Sequence, residues 1–372
     1  MSVVINDYPS SKDYEKYKDI SKEFVMTSSD GKVCHLITYG ALISKLLIPD
    51  NNGVVADVIL GMKDLDLYMN NGASHGSIVG RCANRIANAS FEIDGVTYNL
   101  PKNDADNNIH SGPVCFHNVF WNGSVISKED VVAFIKESGI ANIPSVDGDG
   151  VIFTHTSPDG TSGMPGNLDT TVIYVWLTDG TLLILYKGVT DKATIFAPTN
   201  HGYFNLGGHN AGALHDAIVT VNADKVTRKA NNNCPDGTYI DVDGTIFDFR
   251  NGAALKQVLV TDNDQTKNSL GVDQNFCIND VDGSYKFASR MEDSRSSRVM
   301  EVYTDMPGVQ LYAGNHLGGD DQKGDIPYAP YGALCMEAQM YPNSINIESF
   351  PPVVLRPGEV AYHCCGYKFF NK

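Results

Sequence analysis

The sequence predicts an all-β protein built as one large antiparallel β-sandwich. Three observations carry that reading. Apolar and polar residues alternate along nearly the whole chain, amphipathic stretches of helical period are scarce, and Gly, Asp and Asn cluster between the alternating runs. Many short strands joined by such turns bury their apolar faces by stacking sheets or closing a barrel. At 372 residues the chain exceeds a usual sandwich, yet no linker divides it. The best candidate break, SPDGTSGMPGNLD from Ser157 to Asp169, has strands on both sides and no shift in composition. A single domain over residues 1–372 is expected in preference to two.

In chain order, the first strand run is Cys34 to Leu47. A short helix is expected near Leu65 to Asn70, with Asp64 as its N-cap. Phe91-Glu92-Ile93 and Val96-Thr97-Tyr98 flank Asp94-Gly95, which reads as a two-residue hairpin because that pair accepts the positive φ of a type I′ turn. Strands are expected at Val131 to Lys136 and at Val151 to His155. TTVIYVWL (170–177) and LLILYK (182–187) flank Thr178-Asp179-Gly180-Thr181 in a second hairpin. Further strands are Ala217 to Val221, Val299 to Tyr303, Val309 to Ala313, Ala333 to Gln339 and Ala361 to Phe370. The Asp/Gly clusters at 147–150 and 319–321 lack calcium-loop spacing and read as turns.

Hydrophobic residues at 42% and charged residues at 19% are the balance of a globular protein. A net charge of -16 argues against a nucleic-acid partner, which would need clustered Lys and Arg, and favours a neutral ligand over a strongly anionic one. No stretch approaches the ~18 apolar residues of a membrane span. The N-terminal segment lacks the basic-then-apolar pattern of a secretory signal. Eight cysteines occur without CxxC spacing, and Cys364 and Cys365 are adjacent, so they read as reduced thiols of a cytoplasmic protein. The sequons at Asn88 and Asn122 are then incidental.

Two histidines and one glutamate stand in unusual company. His110 follows an Asn-rich loop, a natural place for a functional side chain on a rigid scaffold. His201 opens HGYF, directly after Pro198-Thr199-Asn200, and imidazole is suited to proton transfer near neutrality. Glu337 in LCMEAQM occupies a strand position that would ordinarily carry a hydrophobe. A carboxyl there must find a partner or bear a desolvation cost, and partial shielding makes it a base that works at neutral pH. The ordinary alternatives are histidines tied to backbone carbonyls and a glutamate facing outward from an edge strand. Asn84 and Arg85 in RCANRI, Asp273 in GVDQNF and Gln310 in PGVQLY are polar groups able to hold sugar hydroxyls. Arg85 has a loop-end salt bridge as its ordinary reading. His117, His209 and His215 read as structural. No His-x-His, His-Glu-x-x-His or Cys/His cluster has metal-ligand spacing, so no metal and no other cofactor is expected.

Together these residues suggest a general acid and a general base gathered from distant segments, able to open and close the ring of an aldose. The stretches GRCANRIANASFEIDGVTYNL, NNIHSGPVCFHNVFW, TNHGYFNLGGH, GVDQNF, MPGVQLYAGNHL and ALCMEAQMYPNSINIESFPPVVLRPGEVAYHCCGYKF resemble the aldose 1-epimerase (galactose mutarotase) family. They keep the family's order over most of the chain. The resemblance implies a large antiparallel β-sandwich and interconversion of the α and β anomers of free hexoses, without a cofactor. It implies Glu337 as the base at the C1 hydroxyl, His201 as the acid at the ring oxygen and His110 as the second histidine near that oxygen. Asn84, Arg85, Asp273 and Gln310 are implied to hold hydroxyls. Ser111 and Gly202 depart from the family pattern beside the two histidines, which bears on loop geometry and sugar preference.

Two rivals remain. A hexose 6-phosphate 1-epimerase would need extra cations at the mouth of the site, and a sugar-binding or sensor protein would not need acid and base together. The partner expected is a small sugar, with no nucleic acid and no membrane; the sequence leaves the oligomeric state and the preferred sugar open. Because no metal-ligand cluster or phosphate loop is present, activity is expected to survive exhaustive chelation without added nucleotide. Loss of mutarotation with a chelator, restored by one divalent metal, would refute this.

Overall fold

The computed structural model describes residues 3–8, 14–70, 72–318, 322–324 and 326–372. Three large antiparallel sheets carry these residues. The first is a meander of Val3–Asp7, Lys22–Thr27, Val33–Ile37, Leu42–Pro49 and Val55–Asp57. The second has nine strands, in the spatial order Asn122–Ile126, Gly150–Ser157, Leu168–Trp176, Thr181–Thr190, Ala361–Asn371, Arg298–Thr304, Lys286–Glu292, Ile218–Val221 and Ala253–Ala254. The third has six, in the order Tyr203–Phe204, Leu334–Gln339, Gly308–Tyr312, Asp273–Ile278, Ala223–Lys229 and Pro235–Asp241. The C-terminal strand sits inside the nine-stranded sheet, joining strands from the first half of the chain to strands from the second.

One apolar cluster fills the space between the sheets. Tyr174, Trp176, Ile184, Tyr186, Tyr367 and Phe369 of the nine-stranded sheet meet Phe276, Val309, Leu311 and Met336 of the six-stranded one, and Phe24, Met26, Leu36 and Leu46 of the first sheet complete it. This is the sandwich that the alternation predicts. Both expected hairpins form, with Asp94 at φ 53° and Gly95 at φ 76° in the first. The helix Leu65–Asn70 is capped by Asp64, whose Oδ1 accepts from the Leu67 amide at 3.0 Å. The segment 157–169 is the loop between two paired strands of the nine-stranded sheet rather than a linker.

Two expectations need correction. The run Cys34 to Leu47 is not one strand but a hairpin, Val33–Ile37 and Leu42–Pro49, turning at Gly40. Gly40 has φ +64°, and a Cβ there would lie 2.8 Å from the His117 carbonyl oxygen. Val131 to Lys136 is helical, part of Lys128–Ser138. Its valines and phenylalanine suggest a strand, but the helix signals outweigh them. Ser127 accepts from the Asp130 amide, Glu129 and Asp130 occupy the first turn, and Gly139 ends the helix at φ 70°. Val131, Phe134 and Ile135, spaced i, i+3, i+4, pack on the outer face of the nine-stranded sheet against a cluster that includes Ile173, Val175 and Leu185. The turn at 319–321 lies outside the described residues.

Phe276 anchors the core face of a strand whose other face carries Asp273 and Asn275. Phe276→Ala is expected to destabilise by about 3–5 kcal/mol, the cost of a large buried aromatic. The check is urea unfolding, and an unchanged midpoint would show that the site strands do not depend on this core.

Candidate active site

The six-stranded sheet sorts its side chains by register. Asp273 pairs with Tyr312, Tyr312 with Cys335 and Cys335 with Tyr203, while Asn275 pairs with Gln310 and Gln310 with Glu337. Residues directly opposite one another in an antiparallel sheet project from the same face. Two rows of polar and aromatic groups therefore share one face. The alternate positions Phe276, Val309, Leu311, Met336 and Ala338 point into the core. Glu337 does not interrupt its strand's pattern, because it belongs to the face opposite the hydrophobic one. It is 2% exposed, and no hydrogen-bond partner meets its Oε2.

His201 follows the short strand Thr199–Asn200, which pairs with Ile78–Val79. Its amide donates to the Ser77 carbonyl and its carbonyl accepts from the Gly76 amide, both at 2.9 Å. The ring stacks on Tyr203 at 4.9 Å between centroids and places Nε2 3.7 Å from Glu337 Oε1. Gly202 is required by packing, since a Cβ there would lie 2.6 Å from the Phe204 ring. His110 sits edge-on to His201 with centroids 5.4 Å apart. The Asn84 amide donates to His110 Nδ1 at 3.1 Å, while the His110 amide donates to the Asn84 carbonyl at 2.9 Å. Asn84 and His110 hold φ values of 59° and 55°, an uncommon conformation that these reciprocal bonds stabilise. With Nδ1 accepting, the neutral ring carries its proton on Nε2. Ser111 fastens the loop, its hydroxyl accepting from the Cys82 amide at 2.8 Å and donating to the Cys82 carbonyl at 3.1 Å.

Arg85 Nε donates to Asp104 at 2.7 Å and Nη1 to Asp273 at 3.1 Å. Gln310 donates to the other oxygen of Asp273 at 2.5 Å. Asn84, Arg85, His110, His201, Asp273 and Glu337 all line one open cleft of about 350 Å³. Gln310 does not line it and stands behind Asp273. Tyr203, Tyr312, Asp104, Asn233 and Asn268 also line the cleft and were not picked as site residues from the sequence. Tyr312 could have been, because it lies two residues from Gln310 and so on the same strand face. Asp104, Asn233 and Asn268 stand in polar loops, where no periodicity marks a direction.

The profile of the aldose 1-epimerase family matches residues 22–368. The chain belongs to that family. It is 36% identical over 335 residues to the human galactose mutarotase, covering 90% of each chain. It is 31% identical over 346 residues to the Escherichia coli aldose 1-epimerase, covering 92% of this chain and 94% of that one. The crystal structure of galactose 1-epimerase from Lactobacillus acidophilus superposes with a TM-score of 0.81 at 26% identity, covering 100% of this chain and 99% of that one. An aldose epimerase homologue from C. elegans gives 0.80 at 26% identity, with 94% and 99% covered.

In this family member the electrostatics of the cleft follow from burial. Burial raises the Glu337 pKa well above the ordinary carboxylate range, the Asp273 charge adds to the rise, and Arg85 opposes it. Burial drives His201 down to about 3, helped by His75. His110 falls well below its ordinary value for the same reason, with His201 the next cause. Burial alone would raise Asp273, but Arg85, Lys229 and the Gln310 hydrogen bond outweigh it and hold the carboxyl below its ordinary value. The 3.7 Å contact could serve an ion pair, yet burial disfavours charge on both partners. Burial therefore favours a proton on the Glu337 carboxyl over one on the His201 imidazole, with the two groups 3.7 Å apart.

A site that needs one proton shared by this pair should lose activity on both sides of a plateau. On the acid side a second proton binds the pair, and the low His201 pKa moves that limb below the ordinary imidazole value. On the alkaline side the shared proton leaves, and the raised Glu337 pKa moves that limb above the ordinary carboxylate range. The dependence of kcat/KM on pH is the check. A rate that only rises with pH through neutrality would show that the carboxylate acts without the shared proton.

Proposed function

We propose that this protein interconverts the α and β anomers of free aldohexoses such as galactose and glucose by acid/base ring opening and reclosure, with Glu337 as the base and His201 as the acid. The observation that carries the reading is the buried Glu337–His201 pair, 3.7 Å apart, on the wall of a polar cleft. In the reactive arrangement the shared proton sits on His201 and Glu337 is a carboxylate. Glu337 takes the proton of the C1 hydroxyl, and the C1–O5 bond breaks with its electron pair going to O5. His201 protonates O5. Rotation about C1–C2 presents the other face of the aldehyde. O5 then attacks that face, returning its proton to His201 while Glu337 returns a proton to O1. His110, whose Nδ1 accepts from the Asn84 amide and so leaves the proton on Nε2, is a second donor near the ring oxygen. Asn84, Arg85 and Asp273 hold hydroxyls. Gln310 acts through Asp273, fixing the carboxylate that meets the sugar.

The cleft favours an unphosphorylated sugar. Among its lining residues Arg85 already bridges Asp104 and Asp273, and Glu337 adds a further acid, so no surplus cation faces a phosphate. A sensor that only binds would gain nothing from a desolvated acid/base pair. The core shared by all three large sheets supports one domain across the chain. The eight free, buried cysteines support a reducing cytoplasmic setting, and among the described residues no helix is long and apolar enough to cross a membrane. The proposed partner is a small sugar, with no nucleic acid.

Polarimetry on freshly dissolved α-D-galactose and α-D-glucose tests the activity. Glu337→Gln and His201→Asn are each expected to lower kcat by more than ~10²-fold, the scale of a lost general acid or base. Arg85→Ala should act mainly through KM, since its contacts to hydroxyls persist from ground state to transition state. Near-normal turnover in Glu337→Gln would assign the base to another residue. No catalysed mutarotation in the unmodified protein, with sugar binding that survives Glu337→Gln, would favour the sensor.

A further inference from the structure

We propose that His201, Cys335 and Glu337 form a binding site for a soft or borderline divalent cation, of the Zn²⁺ or Cd²⁺ class, and that its occupancy switches catalysis off. Strand alternation projects Cys335 and Glu337, two residues apart, from the same sheet face. His201 reaches them from a distant segment: its Nδ1, the nitrogen that would share a metal with the sulfur, is 3.6 Å from Cys335 Sγ, while its other nitrogen, Nε2, is 3.7 Å from Glu337 Oε1. One ligand atom from each residue lies within 4.8 Å of the other two. A tetrahedral site with a metal–sulfur bond of ~2.3 Å and a metal–nitrogen bond of ~2.0 Å has an S···N edge of about 3.5 Å, and the other edges, within 4.8 Å here, contract by up to about 1.5 Å. Cys335, His201 and Glu337 are 0%, 5% and 2% exposed, so little water competes for their lone pairs. Glu337 Oε2 is buried without a hydrogen-bond partner, which leaves an oxygen free to ligate.

The donor set selects the metal. Thiolate, imidazole and one carboxylate suit zinc and cadmium, whereas magnesium and calcium require shells of oxygen. Among the described residues no other group of three His, Cys, Asp or Glu ligands converges in this way. Cys115 and His117 also bring sulfur and nitrogen together, Sγ and Nδ1 being 3.3 Å apart, but among the described residues no third ligand closes that pair. On binding, the cation forms bonds to sulfur, nitrogen and oxygen, and the Cys335 thiol proton and the Glu337 carboxyl proton are released to solvent. The Glu337 carboxylate and one His201 nitrogen are then committed to the metal, so the carboxylate can no longer take up a substrate proton. His201 and Glu337 also line the cleft, so metal and sugar compete for these two groups.

The binding follows from the ligand geometry; only its inhibitory consequence rests on the roles of Glu337 and His201 proposed above. Two readouts keep the claims apart. Titrating the whole protein with Cd²⁺ while following the cadmium–thiolate charge-transfer absorption is expected to show one cadmium per chain, removable by EDTA and displaced by galactose. Zn²⁺ and Cd²⁺, but not Mg²⁺, should inhibit mutarotation at matching concentrations, reversibly with EDTA. Cys335→Ser should weaken cadmium binding by more than ~10-fold, at least the loss seen when a supporting residue of a metal site is removed. Glu337→Gln should weaken it as well, and Cys115→Ser should not. Disappearance of the absorption in Cys115→Ser, or its persistence in Cys335→Ser, would overturn the site. Cadmium binding that depends on Cys335 but leaves the rate unchanged would overturn the inhibition. Were the unmodified protein inactive on both sugars, the functional reading would fall while the absorption titration still decided the metal site.

Discussion

The electrostatics of the cleft depend on keeping the Glu337 carboxyl out of water beside His201. Removing a charged carboxylate from water costs several kcal/mol even after relaxation, and that cost raises its affinity for a proton. The same burial lowers the proton affinity of the imidazole, so the protein favours the neutral form of each partner. The fold achieves this with backbone geometry. Glu337 lies on a strand whose alternate residues, Met336 and Ala338, are locked in the core, and Gln310 is its cross-strand neighbour. The carboxyl cannot turn to solvent without pulling that core apart.

Around the pair stands a wall of fixed charges. Arg85 bridges Asp104 and Asp273, and Lys229 Nζ donates to the Asp273 carbonyl at 2.8 Å and to the Ser269 hydroxyl at 3.1 Å. These cations keep Asp273 ionised inside the protein, and its negative charge in turn helps to keep the proton on Glu337. Gln310 belongs to this wall rather than to the cleft surface. The reciprocal bonds between Asn84 and His110, one to the backbone and one to the imidazole Nδ1, serve a comparable end, as two left-handed residues fix the direction of an imidazole N–H. Pre-set donors and acceptors of this kind need no reorganisation when charge moves in the substrate.

Much of the fold was legible because period-2 alternation is a local property. The two hairpins, the capped helix at Leu65–Asn70 and the long strands from Leu168 to Thr190 follow from neighbouring residues alone. The helix Lys128–Ser138 was missed because the β-branched run VVAFIK outweighed a cap, an acidic first turn and i, i+3, i+4 spacing that were all in view. The break at Gly40 was missed because the contact that demands a glycine, the His117 carbonyl, comes from a segment 77 residues away.

The sequence by itself determined which groups could do chemistry: a glutamate among hydrophobes, two histidines in polar or aromatic company, and the polar residues at 84, 85, 273 and 310. Residue type sets proton affinity and hydrogen-bonding capacity, and those need no neighbour to be read. Only the tertiary structure decided which of them meet. It moved Gln310 behind Asp273, brought Tyr203, Tyr312 and Asp104 to the cleft, and joined Cys335 to His201 across 134 residues of chain. The physical reason is that burial and contact are properties of sheet register and loop closure. Both are fixed by pairings between segments far apart in the chain, and no local spacing encodes them.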